Sequence, residues 1–312
     1  MSNFLVAVQA VAPLFFYICI GLLVRKFNIM SLEDAKRTNK LVFTVFLSTT
    51  LFYNIYTANM GEVFQPKLII FVLGTITVCC FLWAAVLCKF VKDNKTRGAM
   101  LQAIYRSNFV IMGAPLVANL FGTDRVPVTI MLVAIVVPFY NLTAVIILET
   151  FRGKGFSLKT IAIGIAHNPL IRGAILGVFF SLLNITLPKI IIKSIADVVK
   201  GTTPLALIIL GASFQPVTNL SNYKHLAVCL IGKLLIMPAI GLSAAWFLGY
   251  RGMELATLIA IFGTPTAVSS YAMAQQMNSD TDLTANAIVF SSGFACITMF
   301  CWVFLFTSLG AF

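Results

Sequence analysis

The stretch 99–121, AMLQAIYRSNFVIMGAPLVANLF, is hydrophobic and long enough to cross a membrane, yet it contains the break Gly113-Ala114-Pro115. A proline inside a helix removes a backbone hydrogen bond and clashes with the preceding turn, and glycine weakens the same position. Because lipid offers no hydrogen bonds to irregular backbone, such a break survives only where protein or a watery cavity surrounds it. The stretch therefore predicts an interrupted membrane helix beside a cavity.

A second break of the same form, Gly263-Thr264-Pro265, lies in the stretch 252–276 of the other half of the chain. A matched pair of interrupted segments, one in each half, is typical of the substrate site of a secondary transporter. An ordinary proline kink is the alternative for either break taken alone.

Composition places the chain among integral membrane proteins. Of its 312 residues, 60% are hydrophobic and only 10% are charged, against roughly 25% charged in soluble proteins. The net charge of +12 comes from short basic clusters between apolar runs, a pattern that fits cytoplasmic loops and does not indicate nucleic-acid binding. The seven cysteines lie in apolar stretches without disulfide or zinc-site spacing, so neither a metal nor a cofactor is predicted.

The hydropathy pattern predicts ten membrane-spanning helices. The start of the chain has no basic segment, so it is interpreted as the first span and not as a cleaved signal. Lys and Arg concentrate in the first, third and fifth loops, which are therefore predicted to be cytoplasmic, with both termini outside the cell (inner) membrane. The predicted spans are 4–24, 38–57, 67–90, 99–121, 126–150, 169–186, 192–214, 223–249, 252–276 and 283–308.

The two halves of the chain repeat each other. A shift of 156 residues aligns Gly21 with Gly177, and a shift of 150 residues aligns Pro115 with Pro265. Since each half holds five spans, an odd number, the second half is predicted to be inverted in the membrane relative to the first. The predicted fold is thus an all-α integral membrane protein of two inverted five-helix repeats, in which broken helices four and nine cross.

In each broken helix the proline is predicted to begin a second half-helix. The unpaired N–H groups and positive ends of the two half-helices would then meet near the bilayer centre, an arrangement that suits a carboxylate. Asn108, Thr264 and Thr266 are predicted to add directional hydrogen bonds. The full set of predicted binding residues is Asn108, Gly113, Ala114, Pro115, Gly263, Thr264, Pro265, Thr266 and Ser269.

Several other polar residues fall inside predicted spans, where ionisable groups are costly and usually functional. Lys233 is interpreted either as a counter-charge or proton-path group, or as a side chain that reaches the cytoplasmic interface. Arg106 either contacts substrate or pairs with lipid headgroups. Two polar runs either line the cavity or bond to nearby backbone. These runs are Ser48, Thr49, Thr50 and Asn54 in span two, and Thr202 and Thr203 in span seven.

An enzyme is not supported by the sequence. There is no Gly-x-x-x-x-Gly-Lys-Ser/Thr phosphate loop and no His-Glu-x-x-His zinc motif. With two histidines and ten acidic residues, no Ser, His and acid cluster suggests a hydrolase.

These motifs resemble the auxin efflux carrier family of membrane transporters, which contains plant PIN proteins and bacterial malate and malonate carriers. RSNF at 106–109, followed by GAPL at 113–116, is similar to the family's fourth span. TPLAL at 203–207 is similar to its seventh span, and NKLVF at 39–43 to the start of its second. Where the family has a proline in span two this chain has Ser48, so span two is expected to be straighter here.

The resemblance implies two units that move relative to each other. Helices 1, 2, 6 and 7, within residues 1–57 and 169–214, would form a scaffold that dimerises. Helices 3–5 and 8–10, within residues 67–150 and 223–308, would form a transport unit that carries substrate by elevator-type alternating access.

The function predicted is secondary transport of a small organic anion, such as the dicarboxylates malate and malonate or an auxin-like acid. Its partners would be that anion, the lipid bilayer and a second copy of the chain. Two alternatives remain open. One is a sodium-coupled symporter of the related bile-acid type, and the other is a receptor or channel without transport activity on the same fold.

Overall fold

The computed structural model describes residues 2–57, 65–121, 127–152, 158–183, 185–215 and 220–311. Within these residues the regular secondary structure is helical, apart from one isolated antiparallel bridge between Ser107 and Thr266, which confirms the all-α prediction. The α-helices are α1 (Ser2–Lys26), α2 (Leu32–Leu41), α3 (Ser48–Tyr56), α4 (Pro66–Phe90), α5 (Asn94–Tyr105), α6 (Ala114–Phe121), α7 (Pro127–Arg152), α8 (Leu158–His167), α9 (Pro169–Leu182), α10 (Lys189–Ser213), α11 (Leu220–Ile231), α12 (Met237–Phe247), α13 (Gly252–Gly263), α14 (Ser269–Gln276) and α15 (Thr281–Ser308).

Among the residues that the structure describes, five helical segments are long and apolar enough to cross a membrane. They coincide with five of the predicted spans, while α9 and α13 are shorter apolar helices. Other predicted spans fall on α1 and on helices that are divided by irregular backbone. The five segments are Pro66–Phe90, Val128–Arg152, Lys189–Ser213, Tyr223–Phe247 and Thr281–Ser308.

Polar side chains fix where helices begin. Ser31 forms a capping box with Asp34 at the start of α2, and Asp280 accepts from the backbone N–H of Leu283 at the start of α15. The Asp93 carboxylate accepts a 2.8 Å hydrogen bond from the backbone N–H of Thr96 at the start of α5. This bond stabilises the charged form and lowers the pKa of Asp93, which lies in the loop before the predicted span.

π-helical segments give span two an irregular middle. Val42–Leu47 is π-helical and joins α2 to α3. The expectation that Ser48 leaves this span straighter than in the family stays a prediction. The irregularity needs no proline because a π turn inserts an extra residue into the hydrogen-bond ladder. A similar segment, Gly232–Ile236, joins α11 to α12.

Glycines let two helix pairs approach at the backbone. A Cβ placed on Gly21 of α1 would lie 2.0 Å from the carbonyl oxygen of Ile208 in α10, and one placed on Gly211 would lie 2.1 Å from that of Ile18. In the same way, Gly173 of α9 packs directly on the backbone of α3 at Ser48. Small residues allow this approach between membrane helices. The contacts hold α3 and α10 in place as one wall of the site described below.

Two helices are interrupted, and the interruption between α13 and α14 lies where it was predicted. α13 ends at Gly263 and α14 begins at Ser269, so the break predicted at Gly263-Thr264-Pro265 is present. Pro265, however, lies in the non-helical segment 264–268 and does not begin the second half-helix as predicted. Thr264 is extended, as expected for a residue before proline.

The other interruption lies seven residues earlier than predicted. α5 ends at Tyr105, residues 106–108 are non-helical, and the chain is then helical from Phe109 through Gly113-Ala114-Pro115 into α6. The prediction of a break at Gly113-Ala114-Pro115 is therefore wrong. A π-helical turn, Phe109–Gly113, directly precedes α6 and already departs from the regular hydrogen-bond ladder. The missing N–H of Pro115 therefore requires no separate break.

Candidate functional site

The two non-helical segments, 106–108 and 264–268, pair with each other, and together they are called the crossing below. Ser107 and Thr266 form the antiparallel bridge, and the backbone N–H of Asn108 donates to the carbonyl oxygen of Pro265 at 2.8 Å. The Thr266 side chain donates to the carbonyl oxygen of Ala103 at 2.7 Å, and its backbone N–H donates to Ser291 Oγ at 3.1 Å. These bonds satisfy backbone groups that helix interruption exposes, as a low-dielectric environment requires.

Close helix packing supports the crossing. A Cβ on Gly113 would lie 2.9 Å from the Cβ of Ala260 in α13 and 2.7 Å from the Phe109 ring. Any side chain there would push the π-helical segment away from α13. Gly263 is less crowded, since a Cβ there meets Ile259 and Trp302 only at 3.8 Å.

A cavity of about 200 Å³ lies between the crossing and the helices α3, α7 and α10. Its wall contains apolar side chains together with an arginine, several hydroxyls and three asparagines. The polar lining residues are Thr50, Asn54, Arg106, Ser107, Asn108, Tyr140, Asn141, Thr202, Thr203 and Ser269. A pocket with a mostly apolar wall and a few convergent polar groups is typical of a small-molecule site.

Arg106 is the dominant charge at this cavity. Its side chain is 1% exposed, and the guanidinium donates to Asn141 Oδ1 and Ser269 Oγ, both at 2.8 Å, and contacts the sulfur of Met273. None of the ion pairs in the described part of the chain involves Arg106. A buried cation held only by neutral groups is costly, and an anion in the cavity would compensate it.

Three buried polar groups at the cavity have no hydrogen-bond partner within the described ranges. They are Arg106 Nε, Asn108 Nδ2 and the Tyr140 hydroxyl. Buried polar groups are nearly always paired, so each of these indicates a missing partner such as a ligand or water. Two of the three are donors only, which again favours an anionic ligand.

Lys233 lies behind this wall and does not line the cavity. It is fully buried on the π-helical segment Gly232–Ile236, and its ammonium donates to the Ser107 hydroxyl. The interpretation that it reaches the membrane interface is therefore wrong, because its head group is turned toward the crossing. Lys233 is thus a second basic residue at the segment 106–108, to which Arg106 itself belongs.

Several of the predicted residues do not line the cavity. Ser48 Oγ points to the carbonyl oxygen of Phe43 at 3.4 Å, and neither Ser48 nor Thr49 lines the cavity. Thr264 donates to the carbonyl oxygen of Ala260 at 2.8 Å, and Thr266 is bonded as described above, so neither hydroxyl faces the cavity. The backbone of Ala114 and Pro115 is helical, but their side chains lie outside the described residues.

Two cavity residues were missed in the sequence. Tyr140 and Asn141 lie in α7 and contribute a hydroxyl and an amide that orients Arg106. The only signal in the sequence was an asparagine within an otherwise apolar span. Of the polar runs, Thr50, Asn54, Thr202 and Thr203 do line the cavity, and Thr50 and Thr202 are hydrogen-bonded to each other at 3.0 Å.

No group of three or more potential metal-binding side chains occurs among the residues that the structure describes.

Comparison with known proteins assigns the chain to a family. The model of the membrane transport protein family matches residues 6–160 and 155–303. The chain belongs to this family. The resemblance to auxin efflux carriers predicted from the motifs is thereby confirmed.

Two curated relatives cover nearly the whole chain. An uncharacterized transporter of Methanocaldococcus jannaschii is 24% identical over 301 residues, which are 91% of this chain and 94% of the relative. An uncharacterized transporter of Methanothermobacter thermautotrophicus is 23% identical over 309 residues, which are 96% of this chain and 98% of the relative. Membership of the family makes the chain an integral membrane transport protein, and the long apolar helices agree with this.

Proposed function

We propose that this membrane transport protein is a secondary transporter of a small organic anion, with a carboxylate bound in the cavity beside the crossing. The observation that carries the proposal is Arg106, a buried guanidinium on the cavity wall with no carboxylate partner among the described residues. The unpaired Asn108 Nδ2 lies on the same wall and supplies a second donor. The cavity of about 200 Å³ suits small acids such as malate or malonate, or the carboxylate end of an auxin-like acid.

The site residues divide into two groups in this proposal. The first group binds the substrate, either directly or by holding the Arg106 guanidinium that binds it, and consists of Arg106, Asn108 and Ser269. Gly113, Gly263, Pro265 and the backbone of Thr264 and Thr266 shape the crossing. Ala114 and Pro115 belong to the helix that follows it. The hydroxyls of Ser48 and Thr49 have no part in binding.

We further propose alternating access by movement of two units. The scaffold would comprise residues 1–57 and 169–214, and the transport unit residues 67–150 and 223–308. The cavity lies between α3 and α10 on one side and the crossing and α7 on the other, so it sits where the proposed units meet. The ten-helix inverted repeat is supported by the glycine contacts, since Gly21 packs on α10 and its predicted equivalent Gly177 packs on α3.

Other parts of the proposal concern the setting of the protein. It would lie in the cell membrane with both termini outside and form a homodimer through the scaffold. Transport would be coupled to protons or driven by the membrane potential, and it involves no catalytic step.

Uptake into proteoliposomes tests the proposal. Purified protein is reconstituted, and entry of radiolabelled malate, malonate and indole-3-acetate is measured with and without a pH gradient and with sodium replaced by choline. We expect saturable uptake of at least one carboxylate. Arg106→Gln should reduce it at least about tenfold, because a hydrogen bond to a charged group contributes roughly 1.5–3 kcal/mol.

The matched control is Arg37→Gln, which removes an exposed arginine paired with Glu33 at the start of α2. Uptake in this variant should equal that of the wild type. Indifference of the wild-type protein to every carboxylate, or equal uptake by Arg106→Gln, would contradict the proposal. A strict sodium requirement would favour the symporter alternative.

A further inference from the structure

Lys233 is a buried cation that contacts the crossing. Its ammonium donates to Ser107 Oγ, and Ser107 lines the cavity while Lys233 does not. The backbone on both sides of the lysine is closely packed: a Cβ on Gly232 would meet Trp83 and Ile104 at 3.0–3.2 Å, and Trp302 Nε1 donates to the carbonyl oxygen of Leu234 at 3.1 Å. The lysine itself is fully buried, with its ammonium on the Ser107 hydroxyl.

The chemistry of this pair restricts the Ser107 hydroxyl. An ammonium group has only donors, so Ser107 Oγ must accept from it, and the single Ser107 proton must point elsewhere. The Ser107 backbone is held by the bridge to Thr266, and the residue is buried. The Tyr140 hydroxyl lies near Ser107 on the same cavity wall and has no regular hydrogen bond in the described part of the chain. The acceptors left for the Ser107 proton are therefore the Tyr140 hydroxyl or a ligand in the cavity.

We propose that Lys233 is a positioning residue that acts through Ser107, making its hydroxyl a hydrogen-bond donor to the substrate carboxylate. This inference rests on the proposed function. Lys233 does not touch the substrate itself. An anion in the cavity in turn stabilises the ammonium form of Lys233 by Coulomb attraction.

The consequence is a stretch of wall in which three consecutive residues, Arg106, Ser107 and Asn108, each carry an N–H or O–H donor. An ionised carboxylate accepts from all three. The primary amide of the same acid places its own N–H groups against these donors, so it should be rejected. Without Lys233, the Ser107 hydroxyl is free to accept as well, and this discrimination should weaken.

A double-mutant cycle tests the proposal. The KM for malonate uptake is measured in proteoliposomes for the wild type, Ser107→Ala, Lys233→Met and the double variant, with malate and indole-3-acetate as substitutes if malonate is not transported. Ser107→Ala should raise KM about tenfold, since one hydrogen bond to the charged substrate is lost. Lys233→Met should raise KM by a smaller factor, since the hydroxyl remains but is no longer held as a donor. If Lys233 acts through Ser107, the double variant should be no worse than Ser107→Ala alone.

The preference for malonate over its monoamide is a second measurement, and a purely structural role of Lys233 would leave it unchanged. Competition by malonamate, the monoamide, should be weak for the wild type and should improve at least severalfold relative to malonate in Lys233→Met. Lys193→Met, at an exposed lysine of α10, is the matched control and should leave both KM and discrimination unchanged. Thermal melting and size-exclusion profiles establish that each variant is folded. Should Lys233→Met fail to fold, Lys233→Gln, which keeps an N–H donor without the charge, replaces it in the cycle.

The outcomes separate the two proposals. KM increases that multiply in the double variant, or unchanged discrimination in Lys233→Met, overturn the inference and make Lys233 an independent charge. With Lys233→Gln, a malonate KM close to the wild-type value supports the hydrogen-bond role, and a loss equal to that of Arg106→Gln overturns it. Absence of any carboxylate transport by the wild type overturns the proposed function, and the inference with it.

Discussion

The backbone N–H of Asn108 donates a 2.8 Å hydrogen bond to the carbonyl oxygen of Pro265, and this bond ties one interrupted helix to the other. Next to it, Ser107 and Thr266 form the only bridge between extended segments in the described part of the chain. The bond leaves the Asn108 side chain at the cavity with its Nδ2 unpaired. Pro265 thus supplies a hydrogen-bond acceptor to the other segment. It also keeps the residue before it, Thr264, extended.

Asn108→Ala should lower carboxylate transport about tenfold while leaving the fold intact, because it removes one donor to a charged substrate and no bond within the described protein. Uptake in proteoliposomes and the melting temperature in detergent measure the two effects. Ser194→Ala, which removes an exposed hydroxyl of α10, serves as the control. Wild-type flux in Asn108→Ala would remove Asn108 from the site.

Asn141→Leu should raise the KM for the transported carboxylate severalfold. The Asn141 Oδ1 accepts from Arg106 at 2.8 Å, so its loss frees the guanidinium to leave its position and leaves one more buried donor unpaired. Leucine has a similar volume, which limits packing effects. An unchanged KM, measured with the same uptake assay, would mean that Ser269 alone suffices to orient Arg106.

The glycines of the two Gly-x-Pro motifs, Gly113 and Gly263, should respond differently to alanine. Gly113→Ala places a methyl group 2.9 Å from Ala260 Cβ and should cost about 1–3 kcal/mol of stability as well as transport activity. Gly263→Ala meets its neighbours at 3.8 Å and should be tolerated. Melting temperature and uptake of both variants, measured side by side, check this. Equal sensitivity of the two positions would contradict the described packing of α13 against the crossing.

Backbone contact between α1 and α10 predicts a stability difference among glycines. Gly21→Ala and Gly211→Ala each place a Cβ within about 2 Å of a carbonyl oxygen in the partner helix, so both should destabilise the protein by at least about 1–3 kcal/mol. Gly74 of α4 has nothing within 4 Å of an added Cβ. Gly74→Ala should be neutral or should stabilise the helix by about 0.5–1 kcal/mol. Thermal unfolding in one detergent ranks the three variants, and a Gly74→Ala variant as unstable as the other two would refute the explanation.

Hydropathy and proline placement were enough to predict an all-helical membrane protein and an interruption at Gly263-Thr264-Pro265. They misplaced the other interruption because a proline signals irregular backbone without specifying its form. A π-helical turn before Pro115 takes up the irregularity, while the chain leaves helical geometry at 106–108, where no proline or glycine is present. That segment pairs with 264–268, and such a tertiary contact cannot be read from the local sequence.

The candidate site was predicted in part for the same reason. Asn108 and Ser269 line the cavity as a consequence of lying at or directly after the non-helical segments. Thr264 and Thr266 lie on the same segment but point to backbone acceptors, and the alternation of side chains along an extended segment is invisible until the pairing is known. The roles of Arg106 and Lys233 stayed open in the sequence because burial depth depends on the neighbouring helices.

A density map of the reconstituted protein with malate or malonate, obtained by electron cryo-microscopy, tests the central claim most directly. We predict non-helical backbone at 106–108 and 264–268, paired through Ser107 and Thr266, and ligand density within hydrogen-bond distance of the Arg106 guanidinium and the Asn108 amide. Continuous helices through both segments, or a bound carboxylate remote from Arg106, would contradict the account.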